Sequence, residues 1–312
     1  MKHLLEKLDQ YFFTKAPAER LALLRIATGL FSLWYLSGRI DMFCEVAASD
    51  LSLFQPVGLA RFLDGPVPAS LFEGFLWLTL GLNLAFTLGW KFKWTGPAFA
   101  LALLSLLSYR YSWSMIYHDT IALTLHVLVL GFSKAADALS LDRVFFRKKN
   151  NAVKPEKHWR YGWPVQLICI VTVLTYFLSG LAKVYSPLSW EWALGDTLRQ
   201  QVAVDALRKE VLGADVSPFF AWIYEHSWLF LCMGILTFLI ELGAPLALLH
   251  RRVGMLWAVM SWAMHWGIYF VMGITFRHQM SGIIFLPFFE IEKLMTFWRN
   301  RFKQKIPAPG FP

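Results

Sequence analysis

The chain has 312 residues, of which 57% are hydrophobic, 17% aromatic and only 16% charged, with a formal net charge of +9. That is more apolar surface than a soluble domain of this length buries, so lipid is the expected solvent and the protein reads as integral to a membrane. The positive charge then belongs to basic loops facing anionic lipid and nucleic acid is not an expected partner, while three cysteines without CxxC spacing point away from a zinc or disulfide framework.

The first segment, MKHLLEKLDQYFFTK, is too charged for a cleavable signal and reads as a cytoplasmic amphipathic stretch over residues 1–19. A bilayer core needs about 20 apolar residues per helix. On that measure, spans fall near residues 20–42, 70–90, 96–110, 113–132, 161–183, 227–249, 254–275 and 279–295. The expected fold is therefore all-α: a polytopic integral membrane helical bundle of about eight transmembrane helices over residues 20–295, followed by a cytoplasmic tail over 296–312. The third and fourth spans are separated only by the polar break SYRYSWS.

Most of the 30 lysines and arginines, including those of RKKNNAVKPEKHWR between the fourth and fifth spans, fall on the side that holds both ends of the chain. Positive residues collect on the cytoplasmic side, so both termini are expected there, with the protein in the plasma (inner) membrane. The longer connection over residues 186–226 then faces the exterior. Within it LRQQVAVDALRKEVLG has apolar residues at helical spacing, which predicts an amphipathic helix lying on the membrane surface or over a pocket.

Ionisable residues inside spans are costly, and four stand out: His118, Lys183, Glu241 and His265. The predicted sidedness puts His118 and Lys183 at the exterior end, with Glu241 and His265 near mid-depth, an arrangement that one exterior-facing pocket could hold. Each also has a plain structural reading. Lys183 can snorkel to the interface, and His118 can bond a backbone carbonyl there. Glu241 can be protonated or paired with a basic group of a neighbouring helix, and His265 can make a helix–helix hydrogen bond. Arg25 lies close enough to the cytoplasmic end to snorkel. His126 falls about 80° round the helix from His118, a poor arrangement for ligating one metal or haem, and neither is expected. Trp90, Trp113, Trp163, Trp190, Trp192 and Trp228 sit near span ends like an aromatic belt, and Gly180, Gly243 and Gly267 would let helices approach closely.

The segments YFLSGLAKVYSPLSWEWALGD, IELGAPLALLHRRVG and MHWGIYFVMGITF, in this order, resemble the signature blocks of the horizontally transferred transmembrane (HTTM) domain, the membrane part shared with vitamin K-dependent gamma-carboxylases. The similarity runs from about Ala18 to Lys293, and its first block is the most specific. The resemblance implies a reduced, vitamin K-like quinone as cofactor, with Lys183 matching the lysine that acts as base on it. His118, in YSWSMIYHD, and His265 match histidines of the family. Glu241 matches an acidic residue, and Tyr176, Trp192 and Trp113 lie in the same blocks as supporting pocket residues. Membrane lipids, the quinone and a peptide or protein substrate are the implied partners.

Two departures qualify this likeness. Ala182 stands where the family commonly has a second lysine, and the large extra-membrane region that follows the membrane domain in the carboxylases is not in this sequence. The resemblance therefore implies a quinol or lipid-like pocket with lysine base chemistry, of lyase or quinol-oxygenating type, more than carboxylation of a protein. A non-enzymatic alternative is a membrane maturation or immunity factor for a secreted peptide toxin of the sporulation-delaying kind, in which short HTTM proteins also occur.

Overall fold

The computed structural model describes residues 6, 9–113, 115–116, 120–146 and 157–305. Among them the chain is helical without a strand, apart from one isolated bridge between Ala16 and His158. In chain order the α-helices are α1 (Ala18–Ser37), α2 (Ile40–Ala47), α3 (Ala69–Leu88), α4 (Phe92–Tyr111), α5 (Ile121–Gly131), α6 (Leu141–Phe146), α7 (Trp159–Val184), α8 (Glu191–Leu194), α9 (Asp196–Val211), α10 (Phe220–Glu225), α11 (Ser227–Leu242), α12 (Arg251–Met272), α13 (Arg277–Met280) and α14 (Ile291–Lys305). Contacts divide the chain into two compact units, Met1–Ile168 with Phe289–Pro312 and Cys169–Phe288, the boundary falling within α7. The three cysteines form no disulfide with one another.

Helices α3, α7 and α12 are long and apolar enough to cross a membrane, and α1 with α2 makes a fourth if that pair, bent by 57°, is one span. Their outward faces carry large apolar side chains, among them Trp34, Leu71, Leu78, Leu256 and Val259. Water does not favour such faces in a continuous array and lipid does, which marks the chain as a membrane-associated helical protein.

The first unit is held by close backbone approaches and by polar groups that finish helix ends. A Cβ on Gly96 of α4 would meet the Gly131 carbonyl at 2.7 Å and one on Gly131 of α5 would meet the Gly96 carbonyl at 2.6 Å, so only a glycine pair lets these helices cross here. At the start of α4, Lys91 takes a left-handed conformation with φ 46°, and the Asp142 carboxylate accepts from the Lys91 and Phe92 amides at 2.6 and 2.8 Å. A carboxylate on free amides at a helix N-terminus is favourable both as a cap and toward the helix dipole. Arg20 of α1 reaches Glu290 and Glu292 at 3.0 and 2.6 Å, tying α14 back onto the first helix.

Arg25 departs from the snorkelling expected of it. It is fully buried, and donates from Nη1 to the Ala135 carbonyl at 3.0 Å and from Nη2 to the Leu139 carbonyl at 2.5 Å, with its guanidinium 5.8 Å from the centre of the Phe92 ring. The reason lies in the segment after α5, where residues 132–140 run in turns and bends and leave carbonyls that no helix ladder satisfies. A guanidinium supplies several donors in a fixed fork and pairs two of those carbonyls at once.

In the second unit α11 ends at Leu242 and continues only as a 3-10 turn, Ala244–Leu248, so Glu241 sits in the last turn of its helix instead of midway along it. The passage expected at 279–295 is not one helix. After α13 the chain turns at Gly282 (φ +77°), runs as a 3-10 segment over Ile283–Phe288 with Pro287 inside it, and only then enters α14. Proline lacks the donor and the space for continuous α-helix, which accounts for the break. LRQQVAVDALRKEVLG does form the predicted helix, α9. Of the three predicted approach glycines, Gly180 meets α11, whereas Gly243 meets only its own helix and Gly267 has no neighbour within 4 Å.

Candidate functional site

The polar residues of the second unit meet where α7, α11 and α12 come together. Tyr176, Gly180 and Lys183 lie four and three residues apart on α7 and therefore share one face. A Cβ on Gly180 would meet the Glu241 Cβ at 3.0 Å and a Leu242 methyl carbon at 2.9 Å. The missing side chain thus opens the space into which the last turn of α11 packs, and it brings Glu241 beside Lys183.

Lys183 Nζ donates to both carboxylate oxygens of Glu241, with side-chain exposures of 24% and 8%. Of the two structural readings open to Lys183 and Glu241, the buried bridge describes the geometry and the free snorkelling lysine does not. Nor do the two groups lie at different levels, as the expected spans implied. The chain beyond Lys183 stays packed on α11: Trp190 lies against Phe238 with ring centres 5.7 Å apart, a Cβ on Gly234 would touch the Trp192 and Ala193 carbonyls, and one on Gly195 would touch the backbone of Phe230 and Leu231. Lys183 is therefore part-buried between its own helix and the segment that folds back on α11. Opposite charges in a part-buried setting hold each other in place, because separating them would leave the more deeply buried Glu241 charge in a poor dielectric.

Tyr176, one helical turn below Gly180, is buried in a ring of aromatic side chains. Its ring stands edge-on to Trp257 at 5.1 Å and to His265 at 5.7 Å, with Phe285 at 6.1 Å. His265 is buried on α12, and its Nδ1 lies 2.8 Å from the Ser261 carbonyl. A carbonyl only accepts, so Nδ1 carries the proton and Nε2 is the acceptor nitrogen of the neutral ring. The Tyr176 hydroxyl is 3.5 Å from the same Nδ1, and Phe276 closes the other side of the imidazole at 5.1 Å.

Two residues of this cluster were not singled out in the sequence. Trp257 donates from its indole to the Ile240 carbonyl at 2.9 Å, capping α11 beside Glu241. Ser261 is fully buried with its hydroxyl unpartnered. The signal was there: Trp257, Ser261 and His265 follow each other at four-residue steps, the spacing of one helix face.

Within the second unit the structure pairs Lys183 with Glu241 and sets Tyr176 against His265, with Tyr176 and Lys183 on one face of α7. His118 lies outside the described residues. Trp113 belongs to the first unit, packed on Phe54 and Tyr109 with ring centres at 5.2 and 6.1 Å. Trp192 is in α8, its indole nitrogen buried without a partner; among the described residues it makes no hydrogen bond or ring contact with the cluster. No group of three or more His, Cys, Asp or Glu side chains arranged for a metal is present among the described residues.

What the arrangement can do follows from its parts. Lys183 and Glu241 form an amine–carboxylate ion pair, Tyr176 on the same face of α7 leads to His265 on α12, Ser261 has an unused hydroxyl, and Trp257, Phe276 and Phe285 surround the Tyr176–His265 contact with aromatic rings. No family model, curated protein or solved structure matches the chain.

Proposed function

We propose that the protein is a stand-alone HTTM-type integral membrane protein, with about eight membrane passages and both termini cytoplasmic, that binds a reduced quinone or similar lipid-like hydroxyl compound and withdraws a proton from it. The observation that carries this reading is the part-buried Lys183–Glu241 pair on the α7 face that also carries Tyr176, which in turn meets His265 one turn from the unpartnered Ser261 hydroxyl on α12. The donor set and walls suit such a compound: aromatic side chains for a flat ring, and Ser261 and His265 for its oxygens.

A reduced quinone would supply an acidic O–H when bound. Lys183 as an ammonium cannot accept that proton. The pair resolves this internally, because passing a proton from Nζ to Glu241 gives a neutral amine and a neutral acid with no change in net charge. The neutral amine would then be able to accept a hydroxyl proton from such a compound, returning Lys183 to an ammonium while Glu241 keeps the proton passed to it. His265 and Ser261 hydrogen-bond the oxygens and orient the ring, and the packed aromatic residues keep water out.

The test uses purified full-length protein in lipid nanodiscs with a naphthohydroquinone. Wild type is expected to co-purify with quinone, to shift the added hydroquinone's absorbance toward its anion and to speed its oxygenation in bicarbonate buffer. Lys183→Met should bind without the shift, and His265→Ala should bind more weakly. Equal behaviour of wild type and both variants, all folded, would sink the reading.

A further inference from the structure

Helix α9 is built inside out for a helix that packs on protein. It buries Thr197, Val202, Asp205 and Ala206, whereas Val204, Leu207 and Val211 are 60%, 62% and 75% exposed. These three stand at three- and four-residue steps and so form one outward stripe, continued by Leu212 at 74%. The inward face carries a buried carboxylate, Asp205, and the part-buried Lys209. Asp205 accepts from Lys209 at 2.7 Å and from Arg208 at 3.1 Å, and Lys209 Nζ also donates to the Met272 carbonyl at the end of α12. That bond satisfies a carbonyl which the helix end leaves open, and it fixes the rotation of α9 about its own axis.

The place of α9 in its unit says what the stripe meets. Lys209 and Ser217 both bond carbonyls in the last turn of α12, a helix long and apolar enough to cross a membrane, and Val202 packs with Ile223, Phe230 and Val271 against the first turns of α11. So α9 and α10 lie at the end of the unit where α12 stops and α11 starts, which is a membrane boundary if α12 is a span. Around that end Phe219, Trp222, Trp228 and Phe270 are exposed, the side-chain types that settle at the boundary between acyl chains and head groups. Arg208, with 67% of its side chain exposed, flanks the apolar stripe on the same helix, placed to meet a lipid phosphate.

We propose that the outward face of α9, Val204, Leu207 and Val211 with Arg208 at its flank, docks on the lipid bilayer, lying in its plane at the acyl-chain and head-group boundary while the Asp205–Lys209 pin holds it to α12. The inference rests on α12 as a membrane span and is independent of any ligand at Lys183.

The experiment replaces Cys44, Cys169 and Cys232 by alanine in the full chain, introduces Val204→Cys, Leu207→Cys, Val211→Cys or Asp215→Cys one at a time, and attaches a nitrobenzoxadiazole fluorophore. The protein is reconstituted in phosphatidylethanolamine–phosphatidylglycerol vesicles and exposed to lipids carrying a nitroxide near the head group, or to iodide in the water. Fluorescence at 204, 207 and 211 should be lost to the lipid-borne quencher and spared by iodide, with the reverse at 215. Quenching by iodide at 204, 207 and 211 as strong as at 215 would overturn the proposal. So would efficient bismaleimide cross-linking between copies at position 207, which would assign the stripe to a second chain. Lys209→Met removes the pin; if the docking depends on it as argued, the contrast between positions 207 and 215 shrinks, and an unchanged contrast would show that the pin does not set the face.

Discussion

Arg25 in the first unit and Lys183 in the second are both cations set among apolar helices, the first fully buried and the second part-buried, and their partners differ in kind. Arg25 bonds two backbone carbonyls, which have no proton to exchange and no second protonation state. Lys183 bonds a carboxylate, which does. A guanidinium on carbonyls is a fixed strut, because neither side can change charge at any ordinary pH. An amine on a carboxylate is a pair in which one proton has two homes. Burial makes both arrangements expensive to disturb, but only the second can be disturbed by a proton, and that is the physical reason to seek chemistry at Lys183 and not at Arg25.

The strongest way to break the comparison is at the strut. Arg25→Met keeps much of the apolar stem and removes every donor, leaving the Ala135 and Leu139 carbonyls unpaired inside the unit. Each orphaned buried acceptor costs of the order of 1–3 kcal/mol, so a loss of about 4 kcal/mol is expected, read as a lowered thermal midpoint in detergent. Arg25→Lys should recover only part of it, since one ammonium does not match two carbonyls as a planar fork does. A midpoint unchanged in Arg25→Met would mean that the carbonyls find other donors and that Arg25 is no strut.

The pair should respond differently. Lys183→Met leaves Glu241 buried without its cation, and Glu241→Leu leaves the lysine; each is expected to cost about 3 kcal/mol, less than Arg25→Met because the survivor can shed its charge by gaining or losing a proton. The double variant Lys183→Met with Glu241→Leu should regain most of that loss, since replacing both members of a buried ion pair by apolar groups is often near neutral. Thermal unfolding of the four proteins gives the coupling directly. Additive losses would show that the two side chains do not stabilise each other, and the contrast with Arg25 would fall.

The two sites also differ in how far the sequence foretold them. Lys183, Glu241 and His265 stood out because ionisable residues inside apolar runs are costly, and the pairing of Glu241 with a base from another helix was among the readings it offered. Their common level was not legible, since it depends on Gly180 admitting the last turn of α11 and on the chain beyond Lys183 staying packed on that helix. The long apolar helices were legible by length and composition, but the break at Gly282 and Pro287 was overlooked inside an apolar run. Arg25 was misread because nearness to a span end suggests snorkelling, whereas the carbonyls that hold it come from residues more than a hundred positions away in sequence. The spacing of apolar residues in α9 predicts a helix, yet which face it turns outward is set by Lys209 reaching Met272, a contact no local periodicity contains.

The smallest expected effect sharpens the comparison most, because stability and ligand binding should move in opposite directions. Ser261 is fully buried and its hydroxyl has no partner, so the residue carries a desolvation cost that nothing in the fold offsets. Ser261→Ala removes that cost together with one small atom, and a gain of about 1 kcal/mol, or no loss, is expected on thermal unfolding. The same substitution takes away a hydroxyl that can bond a ligand oxygen beside His265, so binding of a naphthohydroquinone should weaken several-fold. At the Arg25 strut the opposition is absent for a different reason: the donors that Arg25→Met removes include the two that hold the Ala135 and Leu139 carbonyls, so the substitution only costs stability. If Ser261→Ala lowered stability instead, the hydroxyl would be part of the packing between α12 and its neighbours, and the second cluster would be a strut like the first.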